Sequence, residues 1–74
     1  MTNVKEQFMI ESISKDIVLL LIKEQGMSLS DALHTLYTSD TYTKLQDTKT
    51  GLYSQSTAYN YEYLVNEIKT GKMI

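Results

Sequence analysis

Six consecutive apolar residues, Ile17-Val18-Leu19-Leu20-Leu21-Ile22, constrain this chain more than any other feature of its sequence. Around them, Phe8, Met9, Ile13, Ile17, Leu20 and Leu21 recur mostly at intervals of three and four, the spacing of one helix face. Six successive residues of a helix spread round its whole circumference, so this segment has to be covered on more than one side. The run is far short of the roughly 20 residues that a membrane-spanning helix needs. Lys5, Glu6, Glu11, Lys15 and Asp16 precede it, where a secretory signal would be basic and then apolar. It reads as buried core, and a cytoplasmic protein without a membrane partner is expected.

Only 74 residues are available to provide that cover. Independent domains seldom fall much below about 50 residues, so residues 1–74 are expected to form a single helical domain. A chain of this size buries only about 60% of the surface its unfolded form exposes, and its stability is marginal unless something supplements the core. Cysteine is absent, which excludes disulfides and thiolate-rich metal sites as that supplement. Self-association or a partner protein remains.

Local signals divide the chain into helices. Asn3 with Glu6 suits a start for the first segment, and Gly26 suits its end. Ser28-Leu29-Ser30-Asp31 is a capping-box pattern with Asp in place of Glu, and Leu29, Ala32, Leu33, Leu36 and Tyr37 follow at helical spacing. Ser39 or Asp40 can cap a third, shorter helix carrying Tyr42 and Leu45, which the turn residues 47–51 end. Leu52-Tyr53 is expected to run extended before Ser56 caps a last helix bearing Tyr61, Leu64, Val65 and Ile68 and closing at Gly71. The fold class is therefore all-α, a compact bundle of three to four short helices. The alternative is α+β with a small C-terminal hairpin, because Tyr59, Tyr61 and Tyr63 alternate with polar residues in the two-residue period of a strand.

No constellation for catalysis or cofactor binding emerges. His34 is the only histidine and no cysteine can join it, so one chain cannot assemble the usual transition-metal ligand sets. Glu62 with Glu67 and Asp40 with Asp47 lack the three- or four-residue spacing that pairs carboxylates on a helix, and each reads as part of a solvated face. No glycine-rich phosphate loop is present, and a calcium-loop reading of residues 47–58 fails because its twelfth position is Ala58. Catalytic, cofactor and metal residues are thus expected to be absent. Residues 28–47 have the dimensions of a helix-turn-helix, which keeps a DNA-binding regulator open as an alternative function. The second of its helices, however, offers one lysine against two carboxylates, and the seven basic residues of the chain are all lysines. With a net charge of −2 and no charge block, a nucleic-acid partner is not favoured. A small ligand-binding protein is the second alternative.

All six tyrosines lie between residues 37 and 63. Tyrosine suits interfaces because its large ring carries a hydroxyl that can stay wet. Tyr59 and Tyr63 share one helix face while Tyr61, Leu64 and Ile68 share another, and one thin domain cannot bury both. Tyr59 and Tyr63 are therefore the candidate protein-interaction residues. A homodimer is expected through the first helix, whose all-round apolar character exceeds what the remaining chain can cover. The candidate dimer residues are Phe8, Ile13, Ile17 and Leu21.

From Leu36-Tyr37 through Ser39, Thr41-Tyr42, Leu45, Asp47, Gly51-Leu52-Tyr53, Gln55-Ser56, Tyr59, Tyr61, Leu64 and Glu67, the chain resembles a group of short bacterial proteins of unknown function that are often encoded beside ADP-ribosyltransferase-like toxins. The resemblance covers the C-terminal half and implies an accessory or antitoxin-like binding role, without any functional residue to carry over. The expected function is a small, non-enzymatic protein-interaction module.

Overall fold

Between Val4 and Gln25 the sequence contains neither glycine nor proline, and these 22 residues form one unbroken helix, α1. The computed structural model describes residues 4–71. The expected start at Asn3 lies outside the described residues. Gly26 ends α1 in the left-handed conformation, φ 69°, and the Met27 N–H donates back to the Leu21 carbonyl at 3.3 Å. Ser14 is buried without interrupting the helix, because its hydroxyl donates to the Ile10 carbonyl at 2.7 Å.

Three shorter helices follow, each opened by a serine whose hydroxyl accepts the backbone N–H three residues on. Ser28 accepts from Asp31 at 3.1 Å and opens α2, Leu29–Tyr37. Ser39 accepts from Tyr42 at 3.0 Å and opens α3, Asp40–Gln46. Ser56 accepts from Tyr59 at 3.1 Å and opens α4, Thr57–Thr70. Gly71 closes α4 with φ 81°, its N–H donating to the Glu67 carbonyl at 2.7 Å.

The segment joining α3 to α4 corrects the sequence reading. Leu52-Tyr53 does not run extended; it belongs to the second of two 3₁₀ turns, Thr48–Thr50 and Leu52–Ser54. Among the described residues there is no strand, so the hairpin alternative falls. The physical reason is that the backbone groups of this segment are already satisfied, partly by residues outside it. The Thr50 hydroxyl donates to the carbonyls of Lys44 at 2.6 Å and Asp47 at 2.8 Å, and the Gln55 N–H donates to the Leu52 carbonyl at 3.0 Å. A paired strand would need those groups for its ladder. Asn60, fully buried in α4, then fastens this turn: its Nδ2 donates to the carbonyls of Leu52 at 2.9 Å and Ser56 at 3.0 Å.

Ile10, Ile13, Ile17, Val18 and Leu21 of α1 meet Ala32 and Leu36 of α2, Leu45 of α3, Leu52 of the second 3₁₀ turn and Leu64 of α4 in one core. α2, α3, α4 and the turn Leu52–Ser54 all pack on α1, giving a compact all-α bundle. Its radius of gyration of 11.5 Å is close to the about 11 Å expected for a globular chain of this length. Among the described residues, no helix is long and apolar enough to cross a membrane. Ile68 does not join the core and is 44% exposed. It sits in the last turn of α4, rotated about 40° from Leu64 round the helix.

One tertiary contact holds the smallest helix in place. The Glu67 carboxylate, on α4, accepts the N–H groups of Asp40 at 2.8 Å and Thr41 at 2.9 Å and the Thr41 hydroxyl at 2.8 Å. With Ser39 taking the Tyr42 N–H and the Ser39 carbonyl taking that of Thr43 at 3.4 Å, the amides of the first turn of α3 are all satisfied. Glu67 is thus not simply one member of a solvated acidic face. Partial burial pushes its pKa up, but the hydrogen bonds from Asp40 and Thr41 outweigh this and hold the carboxyl below its ordinary value.

Two outcomes follow. Leu21 is fully buried, and Leu21→Ala is expected to cost about 2–5 kcal/mol, measured by thermal or denaturant unfolding. A depressed carboxyl pKa contributes stability that is present above the unfolded-state value and lost as pH falls through the folded-state value. Glu67→Gln is therefore expected to lower stability near neutral pH by about 1 kcal/mol, the usual effect of losing a helix cap. Melting curves between pH 7 and pH 3 should show it losing less on acidification than the parent chain.

Candidate interaction surfaces

A helix turns by about 100° per residue, so the residues of α1 opposite its core face follow directly from the buried set. Ile10, Ile17 and Leu21 point inward. Val4, Phe8, Ser12, Lys15 and Leu19 occupy the opposite side and are all exposed. Phe8 is 70% and Leu19 55% exposed, large fractions for side chains of this kind.

The four candidate dimer residues separate accordingly. Ile17 and Leu21 are 0% exposed and Ile13 is 8% exposed, all three covered by the chain's own later segments. Only Phe8 is on the surface. The all-round apolar run does exceed its cover, as Leu19 shows, but on the flank away from Ile17 and Leu21.

The outer side of α1 continues onto α2 across an open groove of about 490 Å³. Val18 and Leu19 form one wall, Leu29, Leu33 and Tyr37 the other, and Tyr42 of α3 closes one end; Glu11 and Lys15 add charge on the α1 side. Leu29 and Tyr37 are exposed. The rings of Tyr37 and Tyr42 meet edge to face, their centroids 4.9 Å apart. Burial, then the neighbouring Tyr37 and Glu11, push the Tyr42 phenol above its ordinary pKa. The Gln46 amide donates to the Tyr42 hydroxyl at 3.2 Å and fixes that ring from α3.

Tyr59 and Tyr63 come together on α4, as their four-residue spacing requires. Their ring centroids are 5.1 Å apart and their hydroxyls 3.1 Å apart. The hydrogen bond with Tyr63 raises the pKa of the Tyr59 phenol. Glu62 and Asn66 join them round a shallow hollow of about 280 Å³. Tyr59 is exposed, whereas Tyr63 packs partly against the core. Tyr61 points to another side, where its hydroxyl accepts from the Gln25 amide of α1 at 3.2 Å. Tyr42, Tyr53 and Tyr61 also pack on the core, so four of the six tyrosines serve packing.

The pair α2 and α3 does form helix, turn and helix, with Thr38 and Ser39 between them. The N-terminus of α3, the end that a recognition helix presents to base edges, is occupied by the Glu67 carboxylate. His34 is exposed on α2. Among the described residues, no three histidine, cysteine or acidic side chains lie close enough together to hold a metal ion.

Sequence reasoning singled out Phe8, Tyr59 and Tyr63 but passed over Leu19, Leu29 and Tyr37 as surface residues. For Leu19 the signal was present, since it falls on the same helical stripe as Val4 and Phe8. For Leu29 and Tyr37 it was not, because their spacing is that of a core face. No protein-family model, curated protein or solved structure matches the chain.

Because Tyr59 is exposed, Tyr59→Ala is expected to change stability by less than about 1 kcal/mol. Truncating a buried core aromatic costs about 3–5 kcal/mol, so thermal unfolding of this variant separates a surface ring from a core ring.

Proposed function

We propose that this chain is a small cytoplasmic protein-interaction module, not an enzyme, that works as a homodimer and presents a second surface to another protein. The observation that supports this best is the apolar outer side of α1. Val4, Phe8 and Leu19 are exposed there although the same helix supplies half of the core, and Leu29 and Tyr37 extend the exposed apolar surface across the groove. Surfaces of this kind on small domains mark contact sites. A twofold dimer, the commonest closed assembly, would cover the same patch on both copies. A standard interface of about 800 Å² per partner, at about 25 cal/mol per Å² of apolar burial, supplements a marginal core usefully.

The paired phenols of Tyr59 and Tyr63 support the second surface. They offer rigid rings at low entropic cost and hydroxyls that can remain hydrated, the qualities of an interface anchor. An accessory or antitoxin-like role, implied by the resemblance of the C-terminal half to short toxin-associated bacterial proteins, is consistent with a module built only for contacts. The DNA-binding alternative is less well supported, since α3 carries Asp40 beside its lysine and its N-terminus is already engaged by a carboxylate.

Sedimentation across a concentration series tests the homodimer. Association that rises from micromolar to tens of micromolar is expected, and Phe8→Glu is expected to abolish it while leaving the helical circular dichroism unchanged. Leu21→Glu, by contrast, places a charge in the core and is expected to unfold the chain. A folded wild-type chain that stays monomeric throughout would refute the homodimer.

A further inference from the structure

The exposed stripe of α1 is self-complementary when it is read in opposite directions from a point near residue 13. Phe8 lies five residues before that point and Leu19 six after it; Glu11 lies two before and Lys15 two after. All four are exposed: Phe8, Lys15 and Leu19 on the side of α1 away from the core, and Glu11 on its flank at the edge of the groove. With a rise of about 1.5 Å per residue, the one-residue mismatch between Phe8 and Leu19 is smaller than either side chain. Resting on the self-association proposed above, we infer that two copies pair through antiparallel α1 helices crossing near residue 13, with Phe8 of each seated against Leu19 of the other.

Charge and shape select this occupant and this direction. In the antiparallel register Glu11 faces Lys15 of the second copy, and the twofold axis repeats that ion pair, so two attractive contacts flank the crossing point. A parallel pair would instead set Lys15 against Lys15 and leave the two Glu11 side chains on opposite flanks without a lysine partner, and like charges facing each other across an interface are costly. Beside Leu19 the groove opens between α1 and α2, with Leu29 and Leu33 on its far wall. Its volume of about 490 Å³ leaves room for an incoming phenylalanine ring, which Phe8 of the second copy supplies from the direction the antiparallel register dictates. Each protomer therefore offers one knob and one hole, and the twofold axis uses both twice.

Charge exchange at exposed positions tests the register without disturbing the core. By sedimentation at low salt, Glu11→Lys and Lys15→Glu are each expected to weaken dimerisation by about tenfold or more. The double variant E11K/K15E is expected to restore it, and mixing the two single variants is expected to yield a heterodimer. Circular dichroism checks that each variant is folded. The chain has no cysteine, so Ser12→Cys, close to the crossing point, gives a second reading: it is expected to form a disulfide with its own copy under mild oxidation, and Lys5→Cys is not. A wild-type dimer indifferent to both charge exchanges, or one in which Ser12→Cys fails to cross-link, would overturn the antiparallel register and leave self-association standing. A wild-type chain monomeric at every concentration overturns both and assigns the stripe to a different protein.

Discussion

α1 has to be wrapped. Its apolar residues run round the helix instead of along one stripe, and every other helix lies where it does because it covers part of that surface. A single amphipathic helix laid alongside would have left Ile10, Ile17 and Leu21 partly wet. Three short helices and the 3₁₀ turn Leu52–Ser54 approach from different directions, and the turn residue Leu52 completes the enclosure from a segment that would otherwise be only a connection. Enough residues are present to cover the inner side of one long helix, and its outer side keeps an apolar surface of its own.

How much of this was legible depended on the range of the interaction involved. Ser28, Ser39 and Ser56 were readable as helix starts, and Gly26 and Gly71 as stops, because each acts on backbone groups within a few residues. The all-α class followed from them. The segment around Leu52 was misread because its conformation is set by bonds converging from Lys44, Asp47 and Asn60, which no local pattern reveals. Glu67 was misread for the same reason, since its partners Asp40 and Thr41 are far away along the chain. The candidate surfaces were half legible. Periodicity places Phe8 opposite Leu21, yet which of the two faces inward depends on where α2 and α4 dock, and that is a tertiary outcome.

The two surfaces differ in the chemistry they offer. The α1 and α2 face is broad, aliphatic and bordered by one acidic and one basic residue, a combination suited to a helix packed alongside. The α4 face is small and phenolic, with hydroxyls bonded to each other and an acid and an amide at its edge. Such a patch favours a partner with polar backbone or side-chain groups to receive. A module with both could join copies of itself on one face and engage a different molecule on the other, with the core of α1 as the rigid body between them.

The grip of Glu67 on α3 also bears on the order in which this chain can be completed during synthesis. A seven-residue helix is too short to persist alone, because its nucleation outweighs the few bonds it forms. Ser39 can supply one of the missing acceptors as soon as it emerges, but the N–H groups of Asp40 and Thr41 wait for a carboxylate 26 or 27 residues further along. α1 and α2 can meet while the remainder is still being made. α3 settles only when residue 67 has left the ribosome, so a nascent chain arrested before that point carries its α2–α3 half unfinished, its third helix unlatched and open to chaperone or protease.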